Sequence, residues 1–246
     1  MDGATHAQKH VVITGGTAGI GRAMVERLRR DHVITVIARR SAHLERLRDT
    51  LPEVNVIEAD LADIGTVRAA AAQVIASGRS VDTLINNAAV QHTPHFDDPA
   101  FDEHSIEREI AVNLTAPSVL IQSVLPALLA GGGGTVLNIN SGLGLVPKTA
   151  SAVYCATKFG LNGLSLALAN QLEHAGVRVV QAFLPLVDTG MTAGRGAGKL
   201  SADDAAKRIL EGLDAGRDPI DVGKVTLLRA IMRLSPALAR RIMRRG

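Results

Sequence analysis

The chain has 246 residues, of which 46% are hydrophobic and 21% charged, values typical of a folded protein with a buried core. Its one cysteine, Cys155, excludes an internal disulfide framework and fits a reducing, cytoplasmic compartment. The net charge of +3 is unevenly spread, because residues 224–246 contain seven Lys or Arg and no acid, while the remainder carries −4. A basic tail on an acidic body, with aromatics at 2%, argues against a nucleic-acid-binding protein.

Secreted, membrane-spanning and metal-binding proteins are also poorly supported. Residues 1–9 are polar and lack the apolar segment of a secretory signal. The longest apolar run, 111–130, contains Asn113 and two prolines, so we expect a buried helix rather than a membrane span. His92 and His95 have no Cys or acid at ligand spacing, so loop histidines are expected and no metal site.

Short β-branched runs alternate with helical patterns, as in α/β proteins whose parallel strands are covered by helices on both faces. The predicted strands are 11–13, 33–38, 54–58, 81–85, 135–140, 177–184 and a short last strand, 219–222. The predicted helices are 22–30, one capped by Ser41, 63–77, 105–129, 152–172, one from Ser201 to 213, and an amphipathic tail helix that begins at Ser235-Pro236.

A glycine-rich segment, Thr14-Gly-Gly-Thr-Ala-Gly-Ile-Gly21, joins the first predicted strand to the first predicted helix. Its glycines allow a tight turn and a close approach to a pyrophosphate, which the N-terminus of a helix favours. Such a cluster can also be a purely structural turn. Its position at the start of a strand–helix alternation favours a nucleotide site.

The end of the second strand indicates which nucleotide is bound. An acidic residue there would hold the ribose hydroxyls of NAD, but the chain has Ala38, Arg39 and Arg40 instead. Room and positive charge at this point favour the 2′-phosphate of NADP. The alternative is a solvated arginine pair in front of a helix.

Polar residues also follow the third and fourth strands. Asp60 and Leu61 are placed to contact an adenine. Asn86 and Asn87 either stabilise a turn or, with the small Ala88 beside them, allow a cofactor to lie close.

Tyr154 and Lys158 are four residues apart in predicted helix 152–172, so they share one face. A neighbouring cation favours the phenolate, so we expect Lys158 to lower the pKa of Tyr154 toward neutrality. Ser141 lies at the end of the fifth strand, a usual place for a catalytic group in an open α/β sheet. A Tyr-x-x-x-Lys spacing also occurs by chance, and Cys155 is interpreted as a packing residue because no motif places a base against it.

Together these motifs resemble the short-chain dehydrogenase/reductase family of the Tyr-x-x-x-Lys type, over residues 9–213. The segments Pro185 to Thr189 and Val153 to Lys158 are most similar to its DltE-like branch. The resemblance implies a three-layer α/β/α Rossmann fold, with a doubly wound, mainly parallel sheet of about seven strands. It implies a single domain over 1–246, whose residues 224–246 form a basic amphipathic tail.

The resemblance also implies roles for individual residues. Tyr154 would be the general acid/base, Lys158 would hold the nicotinamide ribose, Ser141 would polarise the substrate oxygen, and Asn113 would anchor a relay water. The residues expected at the NADP(H) cofactor are Gly15, Thr17, Gly19, Ile20, Gly21, Arg39, Arg40, Asp60, Leu61, Asn87, Ala88, Tyr154, Lys158, Pro185, Val187 and Thr189. Two positions depart from the family pattern, since Ala89 and Leu186 each stand where the family has glycine.

The expected function is hydride transfer between NADP(H), with NAD(H) as the less favoured cofactor, and a small or medium-sized, largely apolar carbonyl compound or secondary alcohol. The alternative is a catalytically silent nucleotide-binding protein that acts as a sensor or binds a membrane surface or an acidic partner through its tail. Helix 152–172 is apolar on more than one face, which predicts a homodimer or homotetramer. Residues 190–199 are glycine-rich without periodicity, which predicts a mobile lid.

Overall fold

The computed structural model describes residues 8–244, and its central feature is a seven-stranded sheet. The strands are His10–Thr14 (β1), Val33–Ala38 (β2), Asn55–Glu58 (β3), Thr83–Asn86 (β4), Thr135–Ser141 (β5), Arg178–Leu184 (β6), Val187–Asp188 (β7), Leu200–Ser201 (β8) and Ile220–Asp221 (β9). The large sheet has the order β3-β2-β1-β4-β5-β6-β9, and every neighbouring pair is parallel. This is the predicted doubly wound Rossmann sheet, to which β7 and β8 add a small separate pair.

Helices cover both faces of the sheet. They are Gly19–Leu28 (α1), Ala42–Thr50 (α2), Ile64–Ala76 (α3), His104–Ile110 (α4), Ala116–Ala130 (α5), Ala152–Leu172 (α6), Ala202–Asp214 (α7), Val225–Leu234 (α8) and Pro236–Met243 (α9). Val11 and Ile13 belong to the core with α1, α2 and α7, whereas Val12 between them packs with α3 and α5. This alternation is the period-two pattern of a strand buried on both faces.

Most element bounds agree with the sequence predictions to within two residues, and the predicted side-chain caps are present. Ser41, Ser201 and Ser235 each accept a hydrogen bond from a backbone N–H in the first turn of α2, α7 and α9. One difference affects the site. Helix α1 starts at Gly19 rather than at Arg22, so the last glycines of the motif form its first turn.

The predicted helix 105–129 is interrupted by a π-helical segment, Ala111–Thr115, which separates α4 from α5. Within the described residues, His104–Ala130 is long and apolar enough to span a membrane, and half of its most apolar window is buried inside the fold. Leu120 and Val124 pack in the same core as Val67 and Val74 of α3. The apolar residues of this helix therefore serve the core.

The tail forms two helices, α8 and α9, where the sequence predicted one. Val225 and Ala239 are buried against Leu145, Val146 and Phe183. At the end of α9, the Arg244 carbonyl accepts a hydrogen bond from Thr149 Oγ1 at 3.1 Å. The tail thus packs against the loop between β5 and α6, while Arg233, Arg240 and Arg241 remain exposed.

Candidate active site

The carboxyl ends of the parallel strands open into one cleft of about 870 Å³. The strand order reverses between β1 and β4, which is the place where open α/β sheets bind ligands. All predicted cofactor residues line this cleft except Arg40, which is not among the lining residues. Among the predicted catalytic residues, Ser141, Tyr154 and Lys158 line the cleft, and Asn113 does not.

The glycine turn is shaped for close backbone approach. Gly15 and Gly19 have φ values of +68° and +53°, in the left-handed region that favours glycine. A Cβ atom at Gly21 would lie 2.3 Å from the carbonyl oxygen of Gly15, so no larger residue fits there. The turn leads into the first N–H groups of α1, and the N-terminus of a helix is suited to bind an anion.

Thr14 connects this turn to the end of β4, a role that the sequence analysis did not assign. Its Oγ1 accepts hydrogen bonds from the N–H groups of Asn87 at 3.0 Å and Ala88 at 3.1 Å. The Asn87 amide in turn donates to the carbonyls of Thr14 and Gly15. Asn87 therefore stabilises the turn through its Nδ2 group, which is committed to the backbone.

Tyr154 and Lys158 are both buried on the first turns of α6. The Lys158 ammonium lies 5.7 Å from the centre of the Tyr154 ring and donates to the Ile139 carbonyl at 2.9 Å. Burial lowers the pKa of Lys158 to about 8. Burial also raises the pKa of Tyr154 to about 12, against smaller opposing effects of a hydrogen bond with Ser141 and the charge of Arg195.

The expected lowering of the Tyr154 pKa by Lys158 is therefore wrong for this structure. The cation is near the phenol ring, but the desolvation of the phenol is the larger effect. Cys155 is buried, and burial raises the pKa of its thiol, in agreement with a packing residue rather than a nucleophile.

Asn113 lies behind the cleft, in the π-helical segment. Its Oδ1 accepts from the N–H of Val90 at 2.9 Å, and its Nδ2 donates to the Val90 carbonyl at 2.9 Å and to Thr157 Oγ1 at 3.1 Å. The side chain thus joins the loop after β4 to α6. Both N–H groups of this amide are therefore used, so a water at Asn113 would have to be held by Oδ1 or by the backbone.

Asn140 is a second residue that the sequence analysis missed. Its Oδ1 accepts from the Ser141 N–H at 2.8 Å, and its Nδ2 donates to Gln181 at 3.0 Å and to the Lys158 carbonyl at 3.3 Å. One buried amide therefore fixes the end of β5 against the turn of α6 that carries Lys158. Gly144 is required beside it, because a Cβ there would lie 2.6 Å from Asn140 Oδ1.

The mouth of the cleft is apolar. Leu186 and Ala89, which replace family glycines, both line it, and Leu186 packs so closely on Gly196 that a Cβ there would lie 2.5 Å from it. Helices α8 and α9 complete this wall with Leu227, Leu228, Ile231, Ile242 and Met243. The tail is thus part of the cleft.

Segment 190–199 is held by a strand pair at its ends and by hydrogen bonds to residues on the other side of the cleft. Strands β7 and β8 pair on either side of it, and Lys199 Nζ donates to the Thr192 carbonyl at 2.7 Å. Arg195 donates to Gln91 Oε1 at 2.9 Å, and Gln91 donates to Ser151 Oγ at 3.0 Å. The mobility of this segment stays a prediction.

The described residues contain no group of three His, Cys, Asp or Glu arranged to hold a metal ion. The glycine turn, the helix N-terminus and the reversal of strand order do fit a dinucleotide that extends from Arg39 to Tyr154. Fold and site together define a Rossmann-type dinucleotide-binding oxidoreductase.

The chain belongs to the short-chain dehydrogenase/reductase family, since a family model described as short chain dehydrogenase matches residues 9–199. The uncharacterized oxidoreductase DltE of Bacillus subtilis is 30% identical over 89% of this chain and 90% of its own length. The 2,5-dichloro-2,5-cyclohexadiene-1,4-diol dehydrogenase LinX of Sphingobium indicum is 29% identical over 91% of this chain and 89% of its own. A short-chain dehydrogenase from Sphingobium yanoikuyae, solved in complex with NADPH, has a TM-score of 0.80 and 28% identity over 94% of both chains.

Proposed function

We propose that this protein is an NADP(H)-dependent carbonyl reductase or alcohol dehydrogenase that uses Tyr154 as its general acid/base. The observation that carries the proposal is the convergence of Ser141, Tyr154 and Lys158 at the end of the cleft away from Arg39, with a dinucleotide-shaped cradle between them. A bound nicotinamide supplies hydride to a carbonyl carbon, or accepts it from an alcohol in the reverse direction.

The chain's own groups manage the proton and the substrate oxygen. In reduction, the Tyr154 hydroxyl donates its proton to the oxygen as the carbonyl becomes an alcohol, and Ser141 donates a hydrogen bond to the same oxygen. A pKa of about 12 keeps Tyr154 protonated at neutral pH, ready for this donation. Lys158 contributes positive charge behind the phenol while it is protonated.

The preference for NADP(H) is supported by the second strand, which ends without an acid. Arg39 is exposed, lines the cleft and has its charge available for a 2′-phosphate, whereas Arg40 does not line it. The relative from Sphingobium yanoikuyae was solved with NADPH. We therefore assign the phosphate contact to Arg39.

The assembly that we propose is a homo-oligomer in which α6 packs against a partner. A cytoplasmic location stays a prediction from the single cysteine. The catalytically silent alternative gains no support, because the reactive groups converge and the tail on which it depended forms a wall of the cleft.

The test is a panel of apolar ketones, aldehydes and secondary alcohols, followed by cofactor absorbance with NADPH and NADH. We expect turnover with NADPH that the Tyr154→Phe variant lowers by roughly a hundredfold or more while it still binds NADPH. Cys155→Ala is the matched control, because it changes the neighbouring buried residue without removing an assigned reactive group. Turnover by Tyr154→Phe at the wild-type rate would refute the assignment.

A further inference from the structure

The substrate end of the cleft carries positive charge without a matching acid. Six Lys or Arg side chains line the cleft, and Asp60 is the one carboxylate among its described lining residues. Asp60 lies 3.9 Å from Arg108, and Lys158 donates to the Ile139 carbonyl. Three other cations line the substrate end of the cleft: Lys148, Arg195 and the exposed Lys224.

Arg195 is half-buried and hydrogen-bonded on two sides. Its guanidinium donates to Gln91 and to the Met191 carbonyl, which leaves further N–H groups directed elsewhere. Gln91 is itself anchored to Ser151, three residues before Tyr154. Its charge opposes the rise in the pKa of the Tyr154 phenol. Through Gln91 and Ser151, Arg195 is connected to the start of the helix that carries Tyr154.

Lys148 is also half-buried, in the loop between β5 and α6. Burial lowers the pKa of its ammonium, and the charge of Arg195 lowers it further. Both cations line the same cleft. Neither takes part in any ion pair within residues 8–244. Two half-buried like charges without an acid are unfavourable unless an anion binds between them.

The dinucleotide does not account for these cations. Its pyrophosphate site is the glycine turn with the N-terminus of α1, and Arg39 marks the far end of the cleft. Around Lys148 and Arg195 the lining is apolar, with Leu143, Leu186 and Met191. Apolar walls with a cationic pair fit a molecule that has a hydrocarbon body and one acidic group.

We propose that the substrate is an apolar oxo acid or hydroxy acid whose carboxylate binds Arg195 and Lys148, close to the carbonyl or alcohol that reacts at Tyr154. This inference rests on the proposed function and names its substrate class. The guanidinium fork matches a carboxylate, and Lys148 adds a second charge to the same group. Leu186 and the helices α8 and α9 pack on the hydrocarbon chain.

The test uses a series of oxodecanoates in which the carbonyl moves along the chain, each compared with its own methyl ester in the presence of NADPH. We expect at least one free acid to have a kcat/KM roughly tenfold or more above its ester. Arg195→Gln should lower kcat/KM for that acid by roughly 10- to 100-fold, mainly through KM, and lower kcat/KM for the ester much less. Lys148→Gln should act in the same direction.

Two further variants separate charge from structure. Arg195→Lys retains the cation and should recover part of the preference for the acid, whereas Gln91→Met removes the anchoring amide and should retain most of it. Arg178→Gln is the matched control, since it removes an exposed cation at the start of β6. An Arg195→Gln variant in which kcat/KM falls equally for the acid and for the ester would overturn the anion site.

A binding measurement distinguishes failure of this inference from failure of the proposed function. With NADPH present, decanoate should raise the melting temperature of the wild type more than decanol does, and Arg195→Gln should abolish the difference. Reduction of esters and acids alike, with no selective effect of Arg195→Gln, refutes the anion site and leaves the oxidoreductase. No turnover of any compound with either cofactor refutes the function, and equal effects of decanoate and decanol then refute the anion site as well.

Discussion

Lys158 holds its ammonium nitrogen 5.7 Å from the centre of the Tyr154 ring, yet its hydrogen bond goes to the carbonyl of Ile139. Both side chains are buried, so each is pushed toward its neutral form. The pair is therefore a phenol that keeps its proton and an ammonium that loses its proton near pH 8. Both consequences can be measured.

The first prediction concerns the ultraviolet titration of Tyr154, which is the one tyrosine of a chain without tryptophan. In the protein alone, phenolate should appear near pH 12 rather than near 10.0, the ordinary value of an exposed tyrosine, because burial raises the pKa of Tyr154. Between these values the unfolded chain has lost a proton that the folded protein keeps, so stability falls as pH rises. The absorbance is therefore read after a rapid pH jump.

Two variants test which neighbouring groups set the pKa of Tyr154. Ser141→Ala should move it further upward, since the Ser141 hydrogen bond lowers the pKa of Tyr154. Lys158→Met should change it little, because Lys158 is already mostly neutral above pH 10. The opposite result would be phenolate that forms well below pH 10 in the wild type but not in Lys158→Met. It would show that Lys158 lowers the pKa of Tyr154, as the sequence predicted.

The second prediction is that Lys158→Met makes the protein more stable and inactive. At pH 7 the folded wild type carries a buried ammonium, and its removal should raise the free energy of unfolding by about 1–3 kcal/mol. The pKa of Lys158 is about 8 in the folded protein and 10.5 for an exposed lysine, as in the unfolded chain, so wild-type stability rises as pH increases between these values. The advantage of the variant should shrink over the same range.

Urea unfolding at pH 7 and pH 10 measures this difference. Lys207→Met is the matched control, because the Lys207 side chain is 56% exposed on α7 and its charge stays in water. We expect no pH-dependent difference for that control. A Lys158→Met protein that is less stable than the wild type at pH 7 would show that the ammonium stabilises the fold.

Local patterns in the sequence were sufficient to predict the sheet, the glycine turn and three serine caps. These features depend on residues near one another in the chain, such as Ser41 and Leu44. The residues Ser141, Tyr154 and Lys158 converge as predicted because strand ends and a four-residue helical spacing fix their places.

The missed features depend on contacts between distant parts of the chain. The bond between Arg195 and Gln91 spans 104 residues, and the one between Thr149 and Arg244 spans 95. No local pattern indicates such pairs. The sign of the Tyr154 pKa shift was missed for a related reason, since burial depends on packing by the whole fold, whereas the spacing to Lys158 is visible in the sequence.

The third prediction is that Arg39→Ala converts a preference for NADPH into near equality. Loss of one charge-assisted bond to the 2′-phosphate should raise the KM for NADPH by roughly 10- to 150-fold and change that for NADH little. Arg40→Ala is the control with the same loss of charge at a residue that does not line the cleft. Steady-state kinetics with both cofactors measures the effect. If Arg39→Ala raises the KM for NADPH and for NADH equally, Arg39 does not bind the 2′-phosphate.

The last prediction concerns the assembly. Helix α6 exposes an apolar stripe, on which Phe159 is 40% and Leu166 is 59% exposed, and Gly163 between them has open space around its Cα. An exposed apolar stripe on a helix whose other sides are buried favours a partner subunit, and a small residue at its centre allows close approach. Leu166→Arg should therefore place a charge in the interface and dissociate the oligomer.

Sedimentation velocity of the wild type and the variant measures this change. Leu234→Arg is the control, since Leu234 on α8 is 89% exposed and lies outside the stripe. We expect Leu234→Arg to keep the wild-type sedimentation coefficient and Leu166→Arg to sediment as a monomer with an unchanged circular dichroism spectrum. If only Leu234→Arg dissociates, the interface lies on the tail and not on α6. If the wild type is monomeric at all concentrations, the proposed oligomer does not form.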